Sequence, residues 1–148
     1  MNNFQLEYDN DPHNGDRDFL SRQISDYSSA ETGYDDGRPL AFFVRDRKGQ
    51  IVGGVYGNTN WGWLAVKLLW VHEDLRGKGW GRRLLQAAEE EAIARDCRHA
   101  LLNTKSYQAP GFYERHGYEL FGVLEDYPGE HQRFYYRKRL QADPDASR

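Results

Sequence analysis

Apolar residues along this chain switch between two spacings, and the switches mark its elements. Phe4, Leu6 and Tyr8 alternate with polar neighbours, which is the period of a strand. Residues 9–15 are rich in turn formers. Over 17–30, Phe19, Leu20, Ile24 and Tyr27 fall on one face of a helix. The polar, glycine-containing stretch 31–39 predicts a loop. Residues 40–45 and 51–56 flank Asp46-Arg47-Lys48-Gly49 and predict a hairpin. Residues 61–71 predict a long third strand, apolar on both faces through Leu64, Val66, Leu68, Leu69, Trp70 and Val71. Such a strand belongs at the centre of a sheet covered on both sides.

A helix follows over 79–96, with Leu84, Leu85, Ala88, Ala92 and Ile93 on one face and Glu89-Glu90-Glu91 mostly on the other. Residues 99–104 predict a short apolar strand. Residues 109–116 predict a short helix, with Pro110 tolerated in its first turn and Gly117 as its left-handed stop. Two closing strands are expected over 118–125 and 132–140, and a disordered polar tail over 141–148. The fold class is α/β (α+β), a mixed, mostly antiparallel central sheet with helices on both faces, in a single domain over 1–140. The crossover helix 79–96 makes the two strands around it parallel.

A chain of 148 residues can bury a sufficient core as one domain. Aromatics at 14% are frequent enough to suggest a binding surface as well as a core. With 20 Lys and Arg against 23 Asp and Glu, the net charge of −3 argues against a nucleic-acid partner. The lone Cys97 excludes an internal disulfide and a cysteine-based zinc site, and is expected to be a small buried hydrophobe. His72, His99, His116 and His131 form no metal spacing, so no metal is expected. The first residues have neither a basic nor an apolar signal region, and no apolar run approaches a membrane span. A cytoplasmic location without a membrane partner is expected.

The sharpest local feature is Arg76-Gly77-Lys78-Gly79-Trp80-Gly81-Arg82-Arg83, between a strand and a helix. Glycines at alternate positions leave the backbone amides open to a ligand. Those amides belong to the first turn of a helix, where N–H groups lack partners and the dipole favours an anion. Four cationic side chains surround the same turn, which describes a pyrophosphate site. A P-loop is excluded because Trp80 stands where Lys-Ser/Thr is needed, and a Rossmann fingerprint because position 82 is Arg82. A tight turn with solvated arginines is the other reading of the turn alone.

The surrounding residues favour the binding site. The stretch from Leu69-Trp70-Val71 through Arg76, Gly79 and Gly81 to Leu84-Leu85 resembles the central motif of the GCN5-related N-acetyltransferases. In that family an apolar-x-Val strand end is followed by Arg/Gln-x-x-Gly-x-Gly/Ala and an amphipathic helix. Ala109-Pro110-Gly111-Phe112-Tyr113-Glu114-Arg115-His116-Gly117-Tyr118 resembles the family's later motif. Both occur in the family's order and spacing, and the resemblance covers residues 4–140. One position departs from it: where many members carry Asn three residues before that Ala, this chain has Ser106, with Asn103 and Gln108 nearby.

The resemblance implies acetyl-CoA as acetyl donor and direct transfer to a primary amine in a ternary complex. It implies that the pantetheine arm inserts between strands 61–71 and 99–104, helped by a bulge that frees backbone N–H groups. Cofactor contacts are expected from Trp70, Val71, Arg76, Gly77, Lys78, Gly79, Trp80, Gly81, Arg82 and Ser106, with the amide near Val71 on the thioester carbonyl. Tyr113 aligns with the tyrosine that protonates the leaving thiolate, although a lone Tyr on a short helix is ordinarily a packing residue. The general base stays open among Glu73, Asp74, Glu31, Asp35, Glu119, Glu125 and Asp126. Glu31, Tyr34, Asp35, Trp61 and Trp63, with the 126–130 hairpin, are expected to border an acceptor groove for a small cationic or lysine-like amine. A homodimer is left open. The competing class is a non-catalytic acyl-CoA sensor or regulatory module, which would be marked by loss of the glycines or of Tyr113; this chain keeps both.

Overall fold

The computed structural model describes residues 3–141, and the chain divides into two compact units after Asp35. The expected tail over 142–148 lies outside the described residues. Gln141 itself is tied down, its Nε2 donating to the Cys97 carbonyl at 3.0 Å.

In the first unit, α1 spans Asn14–Thr32 and is longer at both ends than the periodicity suggests. His13 caps it by accepting from the Gly15 N–H, and Gly33 closes it in the left-handed conformation with its N–H on the Ser29 carbonyl. The strand expected over 4–8 does not form. Its backbone finds no ladder partner, and Phe4, Leu6 and Tyr8 are exposed. Alternation supplies a face for a strand but not the neighbour whose N–H and C=O groups it needs.

The second unit is built on a six-stranded sheet in the order β1-β2-β3-β4-β6-β5. The strands are β1 Arg38–Arg45, β2 Ile51–Asn60, β3 Trp63–Val71, β4 His99–Lys105, β5 Glu119–Asp126 and β6 Gly129–Arg139. Every pair is antiparallel except β3–β4. The helix α2, Trp80–Ala94, supplies the crossover between those two and packs over β1, β2 and β3; α3 is the short Gly111–Arg115. Leu40, Val55, Leu64, Leu85, Ala88, Cys97, Ala100 and Leu102 form the core between sheet and helix, and Cys97 is the small buried hydrophobe expected of it.

Three expectations are corrected here. Trp61 is not in β3: Trp61 (φ 55°) and Gly62 (φ 79°) are the central residues of the β2–β3 turn, the double left-handed geometry that a tight hairpin demands. Apolar coverage of β3 on both faces ends half-way, since Leu64 and Val66 are buried but Leu68 and Trp70 are exposed. Glu89 is not on the polar face of α2; it is buried beside Leu85, Ala88 and Ala92.

Candidate active site

The site begins with an irregularity in β3. Tyr56 pairs with Leu68 and Gly57 with Val66, so Lys67 is an extra residue in the ladder, a β-bulge. The two backbones approach so closely there that a Cβ on Gly57 would fall on the Ala65 carbonyl oxygen. Past the bulge, β3 leaves its parallel neighbour. The β3–β4 ladder joins only Trp63–Val66 to His99–Leu102, although β4 runs on to Lys105. The ends of the two central strands therefore stand apart.

Backbone groups become free along the gap. The His72 N–H donates to the Val52 carbonyl at 2.8 Å, toward β2. Alternation in an antiparallel ladder turns the N–H and C=O of Val71 the other way, toward the side that β4 has vacated. The Val71 carbonyl accepts from Arg76 Nε at 3.2 Å, which folds the arginine back onto the strand end. A single 3₁₀ turn, Glu73–Leu75, brings the chain from β3 to the glycines.

Gly77 (φ 75°) and Gly79 (φ 85°) are both left-handed, and a Cβ on either would meet nothing within 4 Å. Gly79 is the N-cap of α2, and no side chain caps the helix. The first-turn amides of Trp80, Gly81 and Arg82 are thus left for another acceptor. Arg83 stacks over the Trp80 ring, its Cζ 4.3 Å from the centroid.

Opposite this turn stands α3, where Phe112 faces Gly81 and Tyr113 packs against the core. Burial pushes the Tyr113 hydroxyl above the ordinary tyrosine pKa, and it makes no hydrogen bond among the described residues. The strand end, the glycine turn and α3 together enclose a cleft of about 710 Å³. Arg76, Arg82 and Arg115 line it, and among the described residues no carboxylate or histidine does. The residues fit a pyrophosphate-bearing acyl donor: uncapped amides, an open glycine cradle, three guanidinium groups, and a gap between strands that leaves Val71 without a β4 neighbour.

The cleft gathers Trp70, Val71, Arg76, Gly77, Gly79, Trp80, Gly81, Arg82 and Tyr113. It does not include Lys78, which is exposed, or Ser106. Ser106 is occupied elsewhere, exchanging hydrogen bonds with Gln132: its N–H donates to the Gln132 carbonyl and its hydroxyl accepts from the Gln132 N–H. Asn103 is likewise taken, accepting from Arg133 Nε at 2.9 Å. Of the three polar residues considered there, Gln108 reaches the cleft, with its Oε1 accepting from the Lys105 N–H at 3.0 Å.

Trp61 and Trp63 stand at the opposite end of β3 from the gap. Trp63 stacks on His99 with ring centroids 4.5 Å apart, and both border a separate hollow with Glu119 and Arg137. Glu31, Tyr34 and Asp35 are exposed residues of the first unit. Among the general-base candidates, Asp74 sits beside the His72 ring, which accepts from its N–H at 3.1 Å, and Glu119 pairs with Arg137 at 2.9 Å. Glu73, Glu125 and Asp126 do not line the cleft.

Sequence reasoning did not single out Tyr107, Leu75 or Arg115 as lining residues, nor the approach of Phe112 to Gly81. That last contact joins the two motifs in space, and neither motif read separately contains it.

A family model described as an acetyltransferase (GNAT) domain matches residues 38–120. Blasticidin-S acetyltransferase of Streptomyces morookaense is 43% identical over 97 residues, which cover 62% of this chain and 70% of that relative. The crystal structure of an acetyltransferase from Bacillus cereus matches with a TM-score of 0.79 at 30% identity, over 90% of this chain and 97% of the other. An aminoglycoside 6'-N-acetyltransferase complexed with coenzyme A shares the fold, with a TM-score of 0.63 at 20% identity, over 95% of this chain and 98% of that one. With the family model matching more than half of its length, the chain belongs to the GNAT family of acetyltransferases.

Proposed function

We propose that this enzyme moves an acetyl group from acetyl-CoA directly to a primary amine of a small cationic molecule, within a ternary complex. The observation that carries the reading is a single cleft with the glycine turn on one wall and the unpartnered Tyr113 hydroxyl on the other. Acetyl-CoA supplies the acetyl group already activated as a thioester. The amides of residues 80–82, with Arg76 and Arg82, hold its pyrophosphate, and the vacated edge of β3 receives its arm. The Val71 N–H donates to the acyl oxygen as charge gathers there. Tyr113 keeps its proton at neutral pH and gives it to the departing sulfur. The proton lost by the amine passes to solvent, and Tyr113 regains from solvent the proton it gives to sulfur.

The substrate class draws support from two sources. Two relatives are named for small molecules, blasticidin S and an aminoglycoside. The β5–β6 hairpin, with Asp126, Tyr127 and Glu130 exposed, extends past the end of β4 at the same end of the sheet as the cleft. The test is release of free CoA from acetyl-CoA across a panel of amines, in which small polycationic amines are expected to turn over best. Intact acetyl-CoA binding with no CoA release from any amine would make the protein a non-catalytic acyl-CoA-binding module.

A further inference from the structure

The helix α3 has only five residues, one turn, too short to hold a side chain by its own hydrogen bonds. The Tyr113 ring is steadied instead by its neighbours. Tyr118 meets it edge-on with centroids 6.0 Å apart, and Tyr136 lies tilted at 6.3 Å. The Tyr118 N–H also donates to the Tyr113 carbonyl at 3.0 Å. Both neighbours are phenols, and both are almost fully buried. Neither hydroxyl is free. Tyr118 donates to Glu89 Oε2 at 2.8 Å, and Tyr136 donates to Glu114 Oε1 at 2.9 Å.

Glu89 is the member of this group that packing alone does not explain. It lies in the middle of α2 on the apolar face, 8% exposed. A carboxylate there must be compensated, and Lys138 does so from β6, with its Nζ 2.9 and 3.1 Å from the two oxygens. An apolar residue would fill the same place at a smaller desolvation cost. What a carboxylate does and an apolar side chain cannot do is fix the Tyr118 hydroxyl, and with it the ring edge on which Tyr113 rests.

We propose that Glu89 is a positioning residue for Tyr113: countered by Lys138, it anchors Tyr118 and so keeps the Tyr113 ring where its hydroxyl serves the cleft. The inference rests on the reading of Tyr113 as proton donor. It also links the two walls of the site. The helix that offers its first-turn amides at Trp80 carries, about 14 Å further along its axis, the group that steadies the acid.

The experiment is a double-mutant cycle. Glu89→Gln and Tyr118→Phe are each measured for kcat and KM in the parent and in a Tyr113→Phe background. In the parent, each is expected to lower kcat roughly tenfold to a hundredfold, the scale of a displaced catalytic group, with KM for acetyl-CoA little changed. In the Tyr113→Phe background the same substitutions are expected to change kcat by less than about twofold, because the hydroxyl they position is gone. Equal losses in both backgrounds would assign Glu89 to stability alone and overturn the inference. Parental kcat in Tyr118→Phe would do the same; that variant keeps the ring and the Glu89–Lys138 pair, so a folding failure of Glu89→Gln does not obscure the result. Parental kcat in Tyr113→Phe itself would instead remove the proton-donor reading, and this inference with it.

Discussion

Replacing Gly81 by alanine adds one methyl group to the first turn of α2, and the structure gives its two effects opposite signs. Gly81 has a helical backbone, so alanine suits the position and removes the entropy that glycine loses on folding, about 0.5–1 kcal/mol in favour of the folded chain. For a chain of 148 residues that corresponds to a rise in Tm of about 1–3 °C. The new Cβ would also stand 3.5 and 3.6 Å from two atoms of the Phe112 ring, in ordinary contact. No atom of a ligand fits between groups that already touch, so the cleft is closed at that point. If a pyrophosphate is displaced from one first-turn amide, the loss is about 1.5–3 kcal/mol for a charge-assisted hydrogen bond. This amounts to roughly a tenfold to hundredfold rise in Kd. Thermal melts without ligand and calorimetric titration with acetyl-CoA measure the two quantities separately. A variant with raised Tm and parental Kd would show that the amides at the head of α2 do not hold the donor, and the cofactor assignment would fail.

Tyr113→Phe keeps the ring and leaves no buried partner unsatisfied, so stability and acetyl-CoA affinity are expected to hold; kcat and kcat/KM are expected to fall together by about a hundredfold to ten-thousandfold in steady-state assays. Gly57→Ala drives a methyl onto the Ala65 carbonyl and is expected to lower stability by about 1–3 kcal/mol, read as a shifted urea midpoint; an unchanged midpoint would mean that the bulge tolerates closer packing than it displays. Burial, with the hydrogen bond to Glu114, pushes the Tyr136 hydroxyl up to about 12, and burial raises Tyr113 and Tyr118 as well. The folded state therefore holds these protons more tightly than the unfolded state does. The stability they contribute is complete below pH 10 and is lost as pH rises toward 12, so melts across that window are expected to fall steeply, and less steeply for Tyr136→Phe.

Much of this site is written locally and some of it is not. The glycine turn was legible because its chemistry sits in consecutive residues: alternate glycines among cations at a strand-to-helix junction need no distant partner to be recognised. The hairpins and α2 were legible for the same reason, with periodic faces bounded by turn residues. The strand over 4–8 failed because a strand is half of a pair, and Phe4, Leu6 and Tyr8 carry no sign of the missing half. Trp61 was assigned to β3 on its hydrophobicity, whereas φ at 55° in a two-residue turn is set by the hairpin around it. Glu89 was misread because its partners, Tyr118 and Lys138, lie far along the chain, and three consecutive glutamates look like a solvated face. Ser106 stands where many family members carry Asn and was expected to contact the cofactor, but its hydrogen bonds go to Gln132 on a strand that no local pattern pairs with it.

In sequence and in space β1, β2 and β3 form one antiparallel ribbon, and β4, β6 and β5 form another. Only the short run from Trp63 to Val66, against His99 to Leu102, stitches the two ribbons together within the sheet, with α2 strapped across from the first. This seam is the shortest ladder of the sheet, so it is expected to open first in the native state. Amide exchange at Val66 and Leu101 reports that opening directly. The cleft starts where the seam stops. If the acyl donor lies along the vacated edge of β3 as proposed, it continues the stitching between the ribbons, and the loaded protein is expected to be the slowest to open.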